Sequence, residues 1–108
     1  MNVKEFQLGE LVCSLSGRDK GRYYLVLAVE HDSFVRLVDG VTRRVDNPKR
    51  KNWKHILNTG QIAWEIAEKL GSAKRPTNSE VRKAIANLGV ILEGDSGSRE
   101  VGKPDGKR

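Results

Sequence analysis

The chain has a single cysteine, Cys13. No internal disulfide can form, and a reducing cytoplasm is the simplest compartment for it. Aromatic residues make up only 6% of the 108 positions and apolar residues 37%, enough for one modest core and too little for a large one. No apolar run approaches the ~20 residues of a membrane span. The opening MNVKEFQLGE lacks the basic-then-apolar layout of a signal peptide. No membrane partner is therefore expected. His31 and His55 have no His or Cys partner at metal-ligand spacing, and no CxxC occurs. There is no Ser-His-Asp series, no paired carboxylate site and no Walker loop; GRDKGR lacks the GK[ST] ending that would hold a nucleotide's phosphates. Neither an enzyme nor a metal or cofactor site is expected.

Positive charge is what the chain has in excess. Twenty Lys and Arg against fourteen Asp and Glu give a net charge of +6, which favours an acidic partner, usually nucleic acid. The excess is +4 over residues 1–57, +2 over 58–92 and zero over 93–108. It belongs to the part of the chain that is patterned for folding.

The pattern begins with short strands. GELVCSL alternates, with Leu11, Cys13 and Leu15 on one side. YYLVLAVE is β-branched and aromatic enough for a strand buried on much of both faces. His31-Asp32 makes a turn, SFVRLVD a third strand, Asp39-Gly40 a hairpin turn, and VTRRV a fourth strand. A fifth is expected from Trp53 to Leu57. Four to five strands joined by tight turns suggest a small closed or nearly closed barrel over residues 6–57.

The period then changes. Ile62, Ile66 and Leu70 recur every four residues, predicting a helix over about 60–70 with Thr59 as a possible cap and Gly71 as its stop. Thr77 and Glu80 have capping-box spacing for a second helix over about 78–88, ended by Gly89. These helices form a C-terminal extension, 58–93, in which VILE is a short strand or a docked end. The Gly-, Ser- and charge-rich residues 94–108 are expected to be disordered. The fold class expected is mainly β with α, and there is no internal repeat.

GELVCSLSGRDKGRYYLVLAV resembles the KOW motif, a strand, a basic glycine-containing loop and a second strand, with Gly21 at the motif's glycine. The longer series SGRDKGRYYLV, VDG, RRV and PKRKNWKH, within Gly9 to His55, resembles bacterial KOW proteins similar to large-subunit ribosomal proteins of archaea and eukaryotes. TNSEVRKAI is a weaker likeness to the helical tail of the bacterial members. The resemblance implies an SH3-like β-barrel and RNA binding, with ribosomal RNA as the natural partner.

Two basic clusters carry that expectation. In GRDKGR, Gly17 and Gly21 let the loop fold tightly and approach a phosphate, while Arg18, Lys20 and Arg22 project towards it. Asp19 is read as a turn residue, or else as a carboxylate that fixes the loop by holding a side chain or backbone N–H. In RRVDNPKRKNWKH, Arg43, Arg44, Lys49, Arg50, Lys51 and Lys54 face one acid, Asp46, and His55 adds a phosphate contact. Trp53 is read as a packing residue, with base stacking as the other use; one of Tyr23 and Tyr24 faces inward and the other outward. All these cations are expected on one exposed surface of a monomeric RNA-binding protein. Recognition would rest on backbone and shape. The competing reading is a barrel that docks on ribosomal or transcription proteins.

Overall fold

The computed structural model describes residues 5–30 and 33–90. Five strands, β1 (Glu10–Ser14), β2 (Tyr23–Val29), β3 (Phe34–Val38), β4 (Lys49–Asn52) and β5 (Ile56–Ile62), form one antiparallel sheet in the order β4-β3-β2-β1-β5. A single 3-10 turn, Trp53–His55, carries the chain from β4 to β5. No ladder joins the two edge strands, β4 and β5, so the sheet is not closed.

The strands alternate between two faces, and both are buried. On one face Val12, Tyr24, Val26, Val35, Leu37 and Ile56 are at most 1% exposed, with Phe6 against them and, among the described residues, no helix residue in their cluster. On the other, Leu11, Leu25 and Val38 pack with Ala63, Ile66, Val81, Ala84 and Ile85. The latter residues bring in two helices, α1 (Trp64–Gly71) and α2 (Asn78–Asn87). Fourteen apolar side chains are buried in this way, and those larger than alanine, each stabilising by roughly 1.5–3 kcal/mol on burial, are the main term against the chain's conformational entropy.

Several elements differ from expectation, each for a local reason. VTRRV is not a strand. The Asp39 carboxylate accepts hydrogen bonds from the Val41 and Arg43 amides, both at 2.8 Å, and from the Thr42 hydroxyl, so two donors needed for a ladder are consumed in a turn. The fourth strand is instead the cationic KRKN, which pairs with β3 from Leu37↔Lys49 to Phe34↔Asn52. Trp53 to His55 form the 3-10 turn, and the last strand runs on to Ile62. Thr59 therefore lies in β5, its hydroxyl donating to the Leu11 carbonyl at 2.6 Å. Helix α1 starts four residues later than expected, behind Ala63, which offers no side-chain cap. The Thr77–Glu80 capping box forms as expected, and Gly89 ends α2 with φ +92°. VILE beyond Val90, the tail 94–108 and the His31-Asp32 turn lie outside the described residues.

The Asp39 turn is clamped to α2. Arg82 donates to the Gly40 carbonyl at 2.8 Å, and the Val45 amide donates to Asn78 at 2.8 Å. Gly40 has φ +80°, and a Cβ there would meet the Asn78 carbonyl oxygen at 2.6 Å. Gly40→Ala combines backbone strain with a backbone clash, and is expected to destabilise the fold by about 2–4 kcal/mol in urea unfolding.

Candidate nucleic-acid interface

The candidate interface starts from the β1–β2 connection, Leu15–Arg22. Gly17 and Gly21 both have positive φ, +85° and +88°. That geometry lets the Lys20 amide reach the Gly17 carbonyl at 3.2 Å and the Gly21 amide reach the Ser14 carbonyl at 2.8 Å. A Cβ at Gly21 would meet nothing within 4 Å, so its requirement is conformational and not one of close approach.

Asp19 is the anchor of this loop. It is 8% exposed. Its carboxylate accepts from Ser14 Oγ at 2.9 Å, Tyr24 Oη at 3.0 Å and Lys51 Nζ at 3.0 Å. Lys49 Nζ lies 3.9 Å from its second oxygen, and Lys51 also donates to the Ser16 carbonyl at 2.9 Å. Burial alone would raise the Asp19 pKa; the hydrogen bonds from Lys51, Ser14 and Tyr24 outweigh it and bring the value down to about 2. Burial, together with the bond to this anion, pushes the Tyr24 hydroxyl well above the ordinary phenol range. Asp19 is thus the carboxylate that fixes the loop and more than a turn residue. Tyr24 is the inward tyrosine, and Tyr23, 37% exposed, is the outward one.

The expected single cationic surface divides in two. Lys51 pairs in register with Val35, and Lys49 with Leu37, so both lysines point to the buried face and onto Asp19. Lys51, with its side chain 11% exposed, is a structural cation and not a free phosphate ligand. Arg50 pairs with Arg36 on the opposite face, where both bond Glu30 and Arg50 lies 3.8 Å above the Phe34 ring. Those two bonds hold the half-buried Glu30 carboxyl below its ordinary range. Arg43 and Arg44 belong to the turn clamped on α2, and no hydrogen bond or ion pair links them to the β1–β2 loop among the described residues.

Arg18, Lys20, Lys54 and His55 remain exposed. The Leu15 amide donates to the His55 carbonyl at 2.8 Å, which sets the 3-10 turn beside the start of the loop. Asn52 caps that turn by accepting from the Lys54 amide at 2.9 Å. Gly17 and Gly21 are exposed, and Arg22 is half-buried, its carbonyl accepting from the Ser14 amide. Trp53 is half-buried, as a packing residue is, and its indole Nε1 has no hydrogen-bond partner among the described residues. Sequence reasoning offered Asp19 as a loop-fixing carboxylate but missed its partner Lys51, the Glu30 pair of arginines, and an exposed apolar row, Leu15, Tyr23 and Leu57. The K-R-K alternation was the available signal for the divided charges, once those residues are placed on a strand.

Among the described residues no group of three His, Cys, Asp or Glu is arranged to hold a metal ion, and no helix is long and apolar enough to cross a membrane. No family model matches the chain, and no curated protein matches it.

The anchor carries a pH signature. The folded Asp19 pKa, about 2, lies below its unfolded value near 3.8. The stabilisation is complete above the unfolded value and is lost as pH falls through about 2, a swing of roughly 2 kcal/mol. The stability advantage of wild type over Asp19→Asn should be constant above about pH 5 and shrink between pH 5 and 2. An advantage that does not change with pH would remove the carboxylate from this role. Lys51→Gln should cost roughly 2–4 kcal/mol, since it strands a buried anion, while Arg18→Gln with Lys20→Gln should shift stability by less than about 0.5 kcal/mol.

Proposed function

We propose that this protein is an RNA-binding protein of the KOW type, and that the β1–β2 loop with the 3-10 turn is its phosphate-facing surface. One observation carries the reading. Asp19 is the only acid in Leu15–Tyr23, there is none in Trp53–Gln61, and Asp19 is buried against Lys51. Every exposed charge of these two segments is therefore positive. A loop whose carboxylate is turned inward and whose cations stand outward has its shape set before a polyanion arrives, which reduces the ordering cost of binding.

The strand order, the 3-10 turn before β5 and the face buried without a second layer support an SH3-like barrel as the description of the sheet. The β1–loop–β2 unit has the form implied by the KOW resemblance, and on that resemblance the RNA is structured and ribosomal. The lone cysteine is the ground for reading a cytoplasmic protein, and the lack of catalytic motifs in the sequence the ground for reading no catalytic activity.

A protein-docking barrel is the second reading, favoured by one feature: Trp64, on the first turn of α1, is 68% exposed. Salt separates the two. Arg18→Gln with Lys20→Gln should weaken RNA binding and reduce the slope of log K against log salt by about 1.5, at roughly 0.7–0.9 per lost phosphate contact. An unchanged affinity and slope would sink the phosphate-facing loop and leave the docking reading standing.

A further inference from the structure

Resting on that RNA-binding reading, we propose that the bound RNA is single-stranded at this surface and that its unpaired bases stack on an exposed row of the sheet built around Tyr23. Tyr23 is opposite Cys13, and Cys13 is opposite Leu57, so the three side chains cross β2, β1 and β5 on one face. Leu15 directly follows β1, two residues after Cys13. That shared face is the one on which Leu11, Leu25 and Val38 pack with the helices, and Cys13, Tyr23 and Leu57 are not among the side chains of that cluster. Tyr23 is 37% exposed, Leu15 43% and Leu57 51%.

The dimensions suit a base. Two strand spacings of roughly 4.8 Å put Tyr23 and Leu57 about 10 Å apart, the scale of one or two stacked nucleobases. A groove of about 510 Å³ continues the row, passing Gly21, Tyr23 and Gln61 to Leu88 at the end of α2. Its Gln61 amide is exposed and available to a base edge.

Charge complementarity selects the occupant. Arg18 and Lys20 lie in the connection from Leu15 to Tyr23 and Lys54 in the turn before Leu57, all three exposed, and no exposed acid lies in either segment. A purely apolar protein ligand would leave these cations unmatched. Duplex RNA would satisfy them, but its stacked bases cannot reach a tyrosine face. A single strand supplies phosphates for the rim and π-faces for the row together, the combination on which single-strand binders rest.

The test measures binding of the full chain to a fluorescent RNA decanucleotide without self-complementarity and to a blunt 16-base-pair RNA duplex. The single strand should bind more tightly. Tyr23→Leu should weaken it roughly tenfold with the salt slope unchanged, and Tyr23→Phe should bind as wild type. Cys13, the sole cysteine and the centre of the row, gives a readout that needs no substitution: the decanucleotide should slow its alkylation by maleimide several-fold, and the duplex should not. Equal binding of both RNAs, indifferent to Tyr23→Leu and without protection of Cys13, would overturn this proposal and leave the RNA-binding reading intact. Absence of binding to either RNA at low salt would overturn both.

Discussion

The contact between Asp19 and Lys51 is the one on which the rest of the candidate surface depends. It joins residues 32 positions apart and reaches from the β1–β2 loop to β4, which stand at separated places in the sheet order. Ser14 of β1 and Tyr24 of β2 complete the same carboxylate's shell, so one side chain ties together three strands and a loop. A buried ion pair of this kind adds little over an apolar substitute, but losing one partner is severe. Its use here is to settle geometry: the loop's only anion is held inward, and its neighbours Arg18 and Lys20 are left to solvent.

Much of the fold is legible in the sequence because local signals decide it. The alternation in β1 and β3, the apolar β2 and the Thr77–Glu80 box each act over a few residues. The misplacements arise where a distant partner wins. VTRRV has the composition of a strand, yet Asp39 takes its amides and α2 holds the resulting turn. KRKN has almost no strand character by composition; it forms β4 because β3 supplies the ladder and Asp19 receives two of its lysines. The four-residue recurrence through Ile62 predicts a longer α1, but pairing with Glu10 keeps Ile62 in β5.

The candidate site shows the same division. The exposure of Arg18, Lys20 and Lys54 follows from their place in short polar connections and is readable directly. The separate fates of Lys49, Arg50 and Lys51 are not, because a cluster of six cations looks uniform until its strand period is known. Sequence density therefore overstates the number of cations free to meet phosphate. The helices matter as well: they share a core with the sheet, and the exposed Tyr23 row lies on the same face outside that cluster.

The place of β1 in the sheet has a consequence for how the chain folds as it is made. Strands β2, β3 and β4 each pair with the strand before them and can zip in order of synthesis. The first strand cannot finish in that way, since its second edge waits for Ile56–Ile62. Nearly the whole sheet must leave the ribosome before β1 loses its open edge, and closing so long a loop costs entropy before any contact repays it. A nascent chain that stops short of residue 62 carries an unpaired, apolar strand edge, ELVCS, available to any other extended segment nearby. The last strand thus acts as the latch on the first, and the α1 helix follows it directly in the chain.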